Sequence, residues 1–548
     1  MVKHLEQTTV TGLEMSSGLR RFVYGTAAVT GACVLVVEIL GAKMLSPYFG
    51  TSHFVWTAQI AVTLLALAVG YYLGGRWVDH SPRLGNIYLA ILGAAVYLAA
   101  TVPLVRGVSF ACLKMDLALG SLLASLFLFL VPLALLAMTG PFLVRILTAS
   151  VSQVGGNVGR LSSISTLGSV GGTMLIGYVL IPRFPNSVTM LATAGVLVLL
   201  SILYFFVWGR DKRPSAAIVA GILLIACFAF AGLRPEWRMT LRYGNAQWMV
   251  RARANSNYGR MEVIDYAVGG YHERWYLNDN LVQNTFDPTT GKSLSLFTEL
   301  LHGLSKAYVS DMESALCIGM GTGIVPMMLV RDGVKVDVVE INPGVIPLAK
   351  EWFGFKPEAL RRLEIGDGRY FLNRSQEQYD AIVLDAFLGD SSPSHLMTVE
   401  AFRAMKNRLQ PTGVIVMNTF GRDLETSGEV EPTALVFDRP DDFYTASLHD
   451  TLKTVFPHVR IHGSGNGNVF FVASKSSLNA HRPPAFELAH NSLQENPNLT
   501  RRPQTAWDRV WRVMDGIGIV MTDDYNPIEY HDAAHRESTR KGLVAGLR

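Results

Sequence analysis

Cysteine and charge are both scarce in this chain. Its 548 residues include four cysteines, Cys33, Cys112, Cys227 and Cys317. None forms a CxxC pair and none sits beside a histidine cluster, which argues against a disulfide framework and against a metal site. The expectation is therefore no metal, with the four thiols serving as small buried hydrophobes. Charged residues make up 17% of the chain, and the formal net charge is +4. There is no long basic run, no RNP-type motif and no zinc-finger spacing, so the chain lacks the footprint of a nucleic-acid binder.

Apolar residues are abundant instead, at 49%, and they are unevenly spread. Before about residue 235 the chain is a series of long apolar runs, and after it the pattern is that of a water-soluble α/β domain. Seven segments are long enough to cross a bilayer, which takes roughly 20 residues each. They are 22–46, 53–75, 86–105, 117–138, 162–182, 188–208 and 215–232. Arg and Lys cluster in the amino-terminal tail and after the second, fourth and sixth runs, which places the amino terminus in the cytoplasm. Seven crossings would leave the carboxy-terminal half outside, whereas a nucleoside cofactor would keep it inside. The stretch 107–150 is where the count is ambiguous. Glu38 and Lys43 fall within the first run, and ionisable groups at membrane depth are functional candidates.

The expected organisation is a helical membrane domain over 1–233, a connector over 234–257, a small β module over 258–290, an α/β domain over 291–475 and a loop-and-helix extension over 476–548. The connector is mixed and aromatic-rich, suited to a membrane surface. Gly269-Gly270 between two alternating runs predicts a hairpin. Strand-like and helical segments then alternate through 314–318, 335–340, 362–366, 379–384 and 413–420, which implies a parallel, Rossmann-like doubly wound sheet. The run 468–474 reads as an antiparallel edge strand, and 476–506 as a long loop.

The chemistry gathers at the ends of those strands. The run ALCIGMGTGIVP carries Gly319, Gly321, Thr322 and Gly323 in the turn after the first strand, where glycine lets backbone N–H groups approach a ligand. Roughly twenty residues further on, VDVVEIN ends in Glu340, placed to accept from ribose hydroxyls. The turn Gly366-Asp367-Gly368 offers Asp367 to an adenine amino group. YDAIVLD ends in Asp385, and Asp390 follows in the next loop. Carboxylates and glycines at successive strand ends describe a nucleoside site, and the absent third Rossmann glycine argues against a dinucleotide. Asp385 stands where the ligand's reactive end would lie. Alkyl transfer from a sulfonium to an amine needs the amine unprotonated, and a free amine titrates near 10; a carboxylate there can take the proton.

These residues resemble the spermidine synthase (polyamine aminopropyltransferase) family, and in particular its bacterial members fused to an amino-terminal membrane domain. The resemblance spans 258–475, and the apolar runs before it are similar in layout. It implies Gln283 near the nucleoside, Asp279 at the family's LDG turn, Glu340 and Asp367 as ribose and adenine ligands, and Asp385 as base. It also implies decarboxylated S-adenosylmethionine as co-substrate, a small amine or polyamine as acceptor and a homodimer as an allowed assembly. The departures carry information. The aspartate of the family's GGGDG turn is Thr322 here, the YHE of the following helix is Phe297-Thr298-Glu299, and the second acid of DSSDP is displaced to Asp390. Threonine neither attracts the donor's ammonium nor repels the carboxylate of intact S-adenosylmethionine, so weaker discrimination between the two donors is expected.

Three functions fit these residues. The first is a membrane-bound aminopropyltransferase at a bacterial inner membrane. The second is an S-adenosylmethionine-dependent methyl or alkyl transferase on a membrane-delivered substrate. The third is a transporter-like or sensory membrane protein whose soluble domain binds a nucleoside or polyamine without turnover.

Overall fold

The computed structural model describes residues 15–50, 53–148, 154–209, 214–232, 240–243, 245–387, 393–423, 436–437, 442–463, 466–479 and 510–531. It divides into two compact units, one of residues 1–45 and 54–234 and the other of residues 46–53 and 235–548.

The described residues of the first unit form helices and short connections. Six helical segments among the described residues are long and apolar enough to cross a membrane: Ser17–Phe49, His53–His80, Leu84–Cys112, Leu117–Leu147, Val154–Arg183 and Asn186–Val207. The seventh expected run forms the 19-residue helix Pro214–Gly232, whose stretch Gly221–Phe230 is apolar. Within the ambiguous stretch, the fourth segment is interrupted at Met138, where Leu117–Ala137 ends and Thr139–Leu147 begins. Glycine sets the closest approaches: a Cβ on Gly74 would lie 2.8 Å from the Met138 Cα. Cys33 is buried as expected, whereas Cys227 is exposed.

In the second unit, strands begin before the expected module does. β1 (Thr240–Tyr243) and β2 (Ala246–Ser256) pair antiparallel with each other, and β2 pairs with β3 (Gly259–Val268) over ten residue pairs. The segment expected as a connector is thus part of a six-stranded meander that continues through β4 (Tyr271–Asn278), β5 (Leu281–Asp287) and β6 (Lys292–Ser293). The hairpin at Gly269-Gly270 forms, with both glycines at positive φ.

The second sheet has nine strands among the described residues. β7 (Ser314–Ile318) lies between β8 (Lys335–Glu340) and β10 (Tyr379–Leu384), β9 (Arg362–Ile365) lies outside β8, and β11 (Leu409–Asp423) lies outside β10. These five are parallel. β14 (Asn466–Ser474) follows antiparallel to β11, with β13 (His458–Gly463), β15 (Val510–Val513) and β12 (Val436–Phe437) beyond it. β14 was expected at the edge and is interior; the extension expected as loop and helix contributes β15, which shields β13. Residues 480–509, most of the expected long loop, lie outside the described residues.

Strand alternation divides the core. Ala315, Cys317, Val336, Val338, Ala381 and Val383 pack on one face, beneath the helices Leu296–Tyr308, Ile324–Arg331 and Val345–Trp352. Leu316, Ile318, Val339, Ile382 and Leu384 pack on the other, with Gly368–Arg374, Val399–Asn407 and Phe443–Val455. Strands covered on both faces read as continuous apolar runs, which is why they were legible. The exception is Asp337 in β8, which has 0% exposure. The Arg361 guanidinium donates to both of its oxygens at 2.7 and 2.6 Å, and the Tyr379 hydroxyl donates to it at 2.8 Å. Removing one partner of a buried pair leaves the other charge uncompensated. Arg361→Ala should therefore destabilise this unit by about 3 kcal/mol, checked by chemical denaturation of the full chain.

Candidate active site

The parallel register lines up the strand ends. Ile318 pairs with Val339 on one side and Leu384 on the other, and Leu384 pairs with Met417. One residue further along each strand, Glu340, Gly319, Asp385 and Asn418 form a single row across the carboxyl edge. The chain runs outward from β7 to β9 and then returns to β10, so this row crosses the switch point where open α/β sheets bind ligands.

Glycine is required there for space. Gly319 has φ +80°, and a Cβ on it would run into the Asp385 carbonyl. Gly321, at φ +52°, leaves room for Asn284, whose Oδ1 would be 2.8 Å from an added Cβ. The turn leads into a cleft of about 230 Å³. Its lining includes Gly319, Gly321, Glu340, Asp367, Gly368 and Asp385, together with Gln283 and Phe297. Eight of the expected site residues therefore converge.

Four do not. Gly323 caps the helix Ile324–Arg331 against the Phe355 ring and is not part of the lining. Thr322 is 1% exposed, and its Oγ1 has no hydrogen-bond partner among the described residues. Asp279, at φ +47°, closes the β4–β5 turn: its Oδ1 accepts from the Arg260 N–H at 2.9 Å, and its own N–H donates to the Arg260 carbonyl at 2.8 Å. It also stands outside the lining. Asp390 lies outside the described residues.

Glu340 accepts from the backbone N–H of Met320 at 3.0 Å and of Asn342 at 2.8 Å. A carboxylate has about four acceptor sites, so two remain for ribose hydroxyls. Burial raises its pKa, the two N–H bonds oppose that rise, and the nearby Asp385 charge adds to it. Asp367 caps the helix Gly368–Arg374 through the Tyr370 N–H at 2.8 Å, and its other oxygen bonds His395 Nε2 at 2.7 Å. His395 lines the same cleft, as does Tyr258, whose hydroxyl pKa is raised by burial and by the charges of Asp367 and Glu340.

Asp385 is perturbed most usefully. Burial pushes its pKa up to about 6, against the opposing hydrogen bond from Asn418 Nδ2 at 3.0 Å. Asn418 Oδ1 in turn accepts from Asn468 Nδ2 at 3.0 Å. Asn418, Asn468, His395, Tyr258 and Asn284 were not anticipated. Asn418 had a signal, being the first polar residue after the apolar run GVIVM; the others depend on pairing and loop placement. The Phe387 and Phe420 rings, 4.8 Å apart, complete an aromatic wall beside Asp385. Three carboxylates line the cleft, and no Lys or Arg does among the described lining residues.

Residues 295–428 match the family described as the spermine/spermidine synthase domain. A polyamine aminopropyltransferase of Vibrio vulnificus is 41% identical over 113 residues, covering 20% of this chain and 38% of that protein. An N-terminal histidine N-methyltransferase of Emericella nidulans is 27% identical over 308 residues, covering 51% of this chain and 50% of that protein. A probable polyamine aminopropyl transferase of Bifidobacterium longum is 25% identical over 355 residues, covering 60% of this chain and 70% of that protein. The chain thus spans half or less of the length of the first two. The strand-end row lies inside the matched region of the spermidine synthase domain, and the meander, β13, β14 and β15 lie outside it.

Ionising Asp385 works against the fold. Its pKa is raised above the unfolded carboxyl value, so its stabilising contribution is full below about pH 4 and is lost as pH rises through about 6. Asp385→Asn retains the acceptor for Asn418 and never ionises. This variant should unfold at a higher temperature than wild type at pH 8, with the difference vanishing near pH 4, as read by calorimetry.

Proposed function

We propose that this chain is a membrane-anchored transferase that moves an aminopropyl group from decarboxylated S-adenosylmethionine to an amine. The carrying observation is the row Glu340–Gly319–Asp385–Asn418 in a cleft lined by carboxylates without a cation. Such a cleft repels phosphates and favours a sulfonium nucleoside and an ammonium acceptor. Glu340 and Asp367 hold the nucleoside, with Gln283 beside it and the glycine turn allowing close approach. The acceptor gives its proton to Asp385, and its nitrogen attacks the carbon next to sulfur. As the C–N bond forms the C–S bond breaks, and its electron pair leaves with the thioether nucleoside. A base titrating near 6 is ionised at neutral pH and still positioned to take that proton.

Thr322 favours a second reading, methyl transfer from S-adenosylmethionine. The aspartate that would repel the donor's carboxylate is absent, and methyltransferases stand among the relatives. Binding of the two donors to the full chain separates the readings. A charged hydrogen bond contributes about 1.5–3 kcal/mol, so without it the two donors should bind within about tenfold of each other. Calorimetry giving a hundredfold preference for the decarboxylated donor would show that another group supplies the discrimination. Under the leading reading, amine-dependent turnover should fall about 10²–10⁴-fold in Asp385→Asn. The acid limb of kcat/KM should lie near 6 in the wild type and about one unit higher in Asn418→Ala, which loses the bond favouring the ionised form.

The six apolar segments anchor the protein in the membrane. Six crossings would return the chain to its starting side, which the distribution of Arg and Lys suggests is cytoplasmic. That is also where nucleoside donors are made. A reporter enzyme fused after Arg548 should be active only in its cytoplasmic form; activity only in its exported form would restore the seventh crossing.

A further inference from the structure

The helical unit contains an ionisable side chain that transfer chemistry leaves unused. Glu38 lies well inside the helix Ser17–Phe49, and among the described residues it carries no hydrogen bond or ion pair. Lys43 is not its partner: five positions on is about 140° around a helix, and only residues three or four apart face one another.

Two neighbours converge on the same level. The first is the helix Val154–Leu175. Ala32 packs on Gly172, where an added Cβ would lie 2.6 Å from the Ala32 carbonyl, and Ala28 packs on Gly168 one turn earlier. Ser169 Oγ donates to the Gly31 carbonyl at 3.0 Å. These pairs advance together, so the two helices run parallel, and the same register brings residues 176–180 level with residues 36–40. Residues Ile176–Leu180 form a π turn, an insertion that recurs at functional sites because it opens the regular backbone ladder.

The second neighbour is Gln59, on the helix His53–His80. Its amide lies against Gly41, with Nε2 2.7 Å from where a Cβ would be. Gln59 is 0% exposed; its Oε1 accepts from Ser125 Oγ at 2.8 Å, and its Nε2 has no partner among the described residues. A serine hydroxyl donates or accepts equally well, so the amide can turn over and present Oε1 instead. At about 100° per residue, Glu38 projects between the direction of Gly31, toward the π-turn helix, and that of Gly41, toward Gln59.

We propose that Glu38, Gln59 and the π turn Ile176–Leu180 form a binding site for a protonated amine inside the helical bundle. The choice of amine rests on the transfer reading; the site itself rests on the bundle. An ammonium supplies the charge that Glu38 lacks and three donors for its carboxylate, the turned-over Gln59 carbonyl and the opened turn. Its aliphatic chain suits the apolar walls.

The test is equilibrium dialysis of radiolabelled spermidine against the detergent-solubilised full chain, with methylthioadenosine filling the nucleoside site. The wild type should bind two equivalents, and Glu38→Gln one. Gln59→Leu should weaken the second site by about tenfold. If Glu38→Gln does not fold, Glu38→Asp keeps the charge on a shorter arm and should weaken that same site. Unchanged stoichiometry in these variants would overturn the proposal and leave the transfer reading intact. A single equivalent that Glu38→Gln removes would support the bundle site and count against transfer.

Discussion

The site depends on one packing constraint, the passage of the β10 chain directly over Gly319. β7 is paired on both sides, and its register with β8 and β10 leaves no room for a Cβ where it turns toward the ligand. Because Gly319 yields that space, the Asp385 backbone closes onto β7 through its N–H to the Ile318 carbonyl at 3.0 Å. Glu340, Asp385 and Asn418 then stand side by side without any loop having to place them. The helices on both faces make this row rigid, and rigid placement is what proton transfer and in-line displacement require.

The same arrangement sets the electrostatics. Glu340 and Asp385 share one cleft with aromatic rings and amides, and burial makes both costly to ionise. Asp385 shows this most clearly, as its pKa is raised to about 6 by burial and restrained by Asn418. Under the proposed transfer, function and stability pull in opposite directions at this residue, a recurring relation at catalytic positions. Elsewhere in the unit the fold avoids such tension: Asp337, with 0% exposure, has two donors from Arg361 and one from Tyr379.

The helical unit repeats the contrast with different materials. Most of its buried polar groups are hydroxyls returned to their own helix, as in Thr30, Thr63 and Thr193. Glu38 and Gln59 are not disposed of in this way. They occur at the level where the regular helix geometry is also interrupted, and a low-dielectric bundle makes such groups costly without a partner.

Much of this was legible in the linear chain. Doubly covered strands announce themselves as apolar runs, glycine marks the close approach, and an acid at the end of a run marks the cleft; hence Gly319, Glu340, Asp367 and Asp385 were readable. Asp279 stands in a turn outside the cleft lining, and in sequence a turn carboxylate looks the same whether it meets a ligand or its own backbone. β1, β2 and the interior place of β14 were missed because pairing partners are not written in either strand. The helical bundle, the α/β alternation and the carboxylates at the strand ends follow from local periodicity and residue type in the chain. That Asn418 and Asn468 restrain Asp385, that Thr322 is buried outside the cleft lining and that Glu38 lies level with a π turn follow only from the folded packing. Those relations are set by strand register and helix packing, which join residues far apart in the chain.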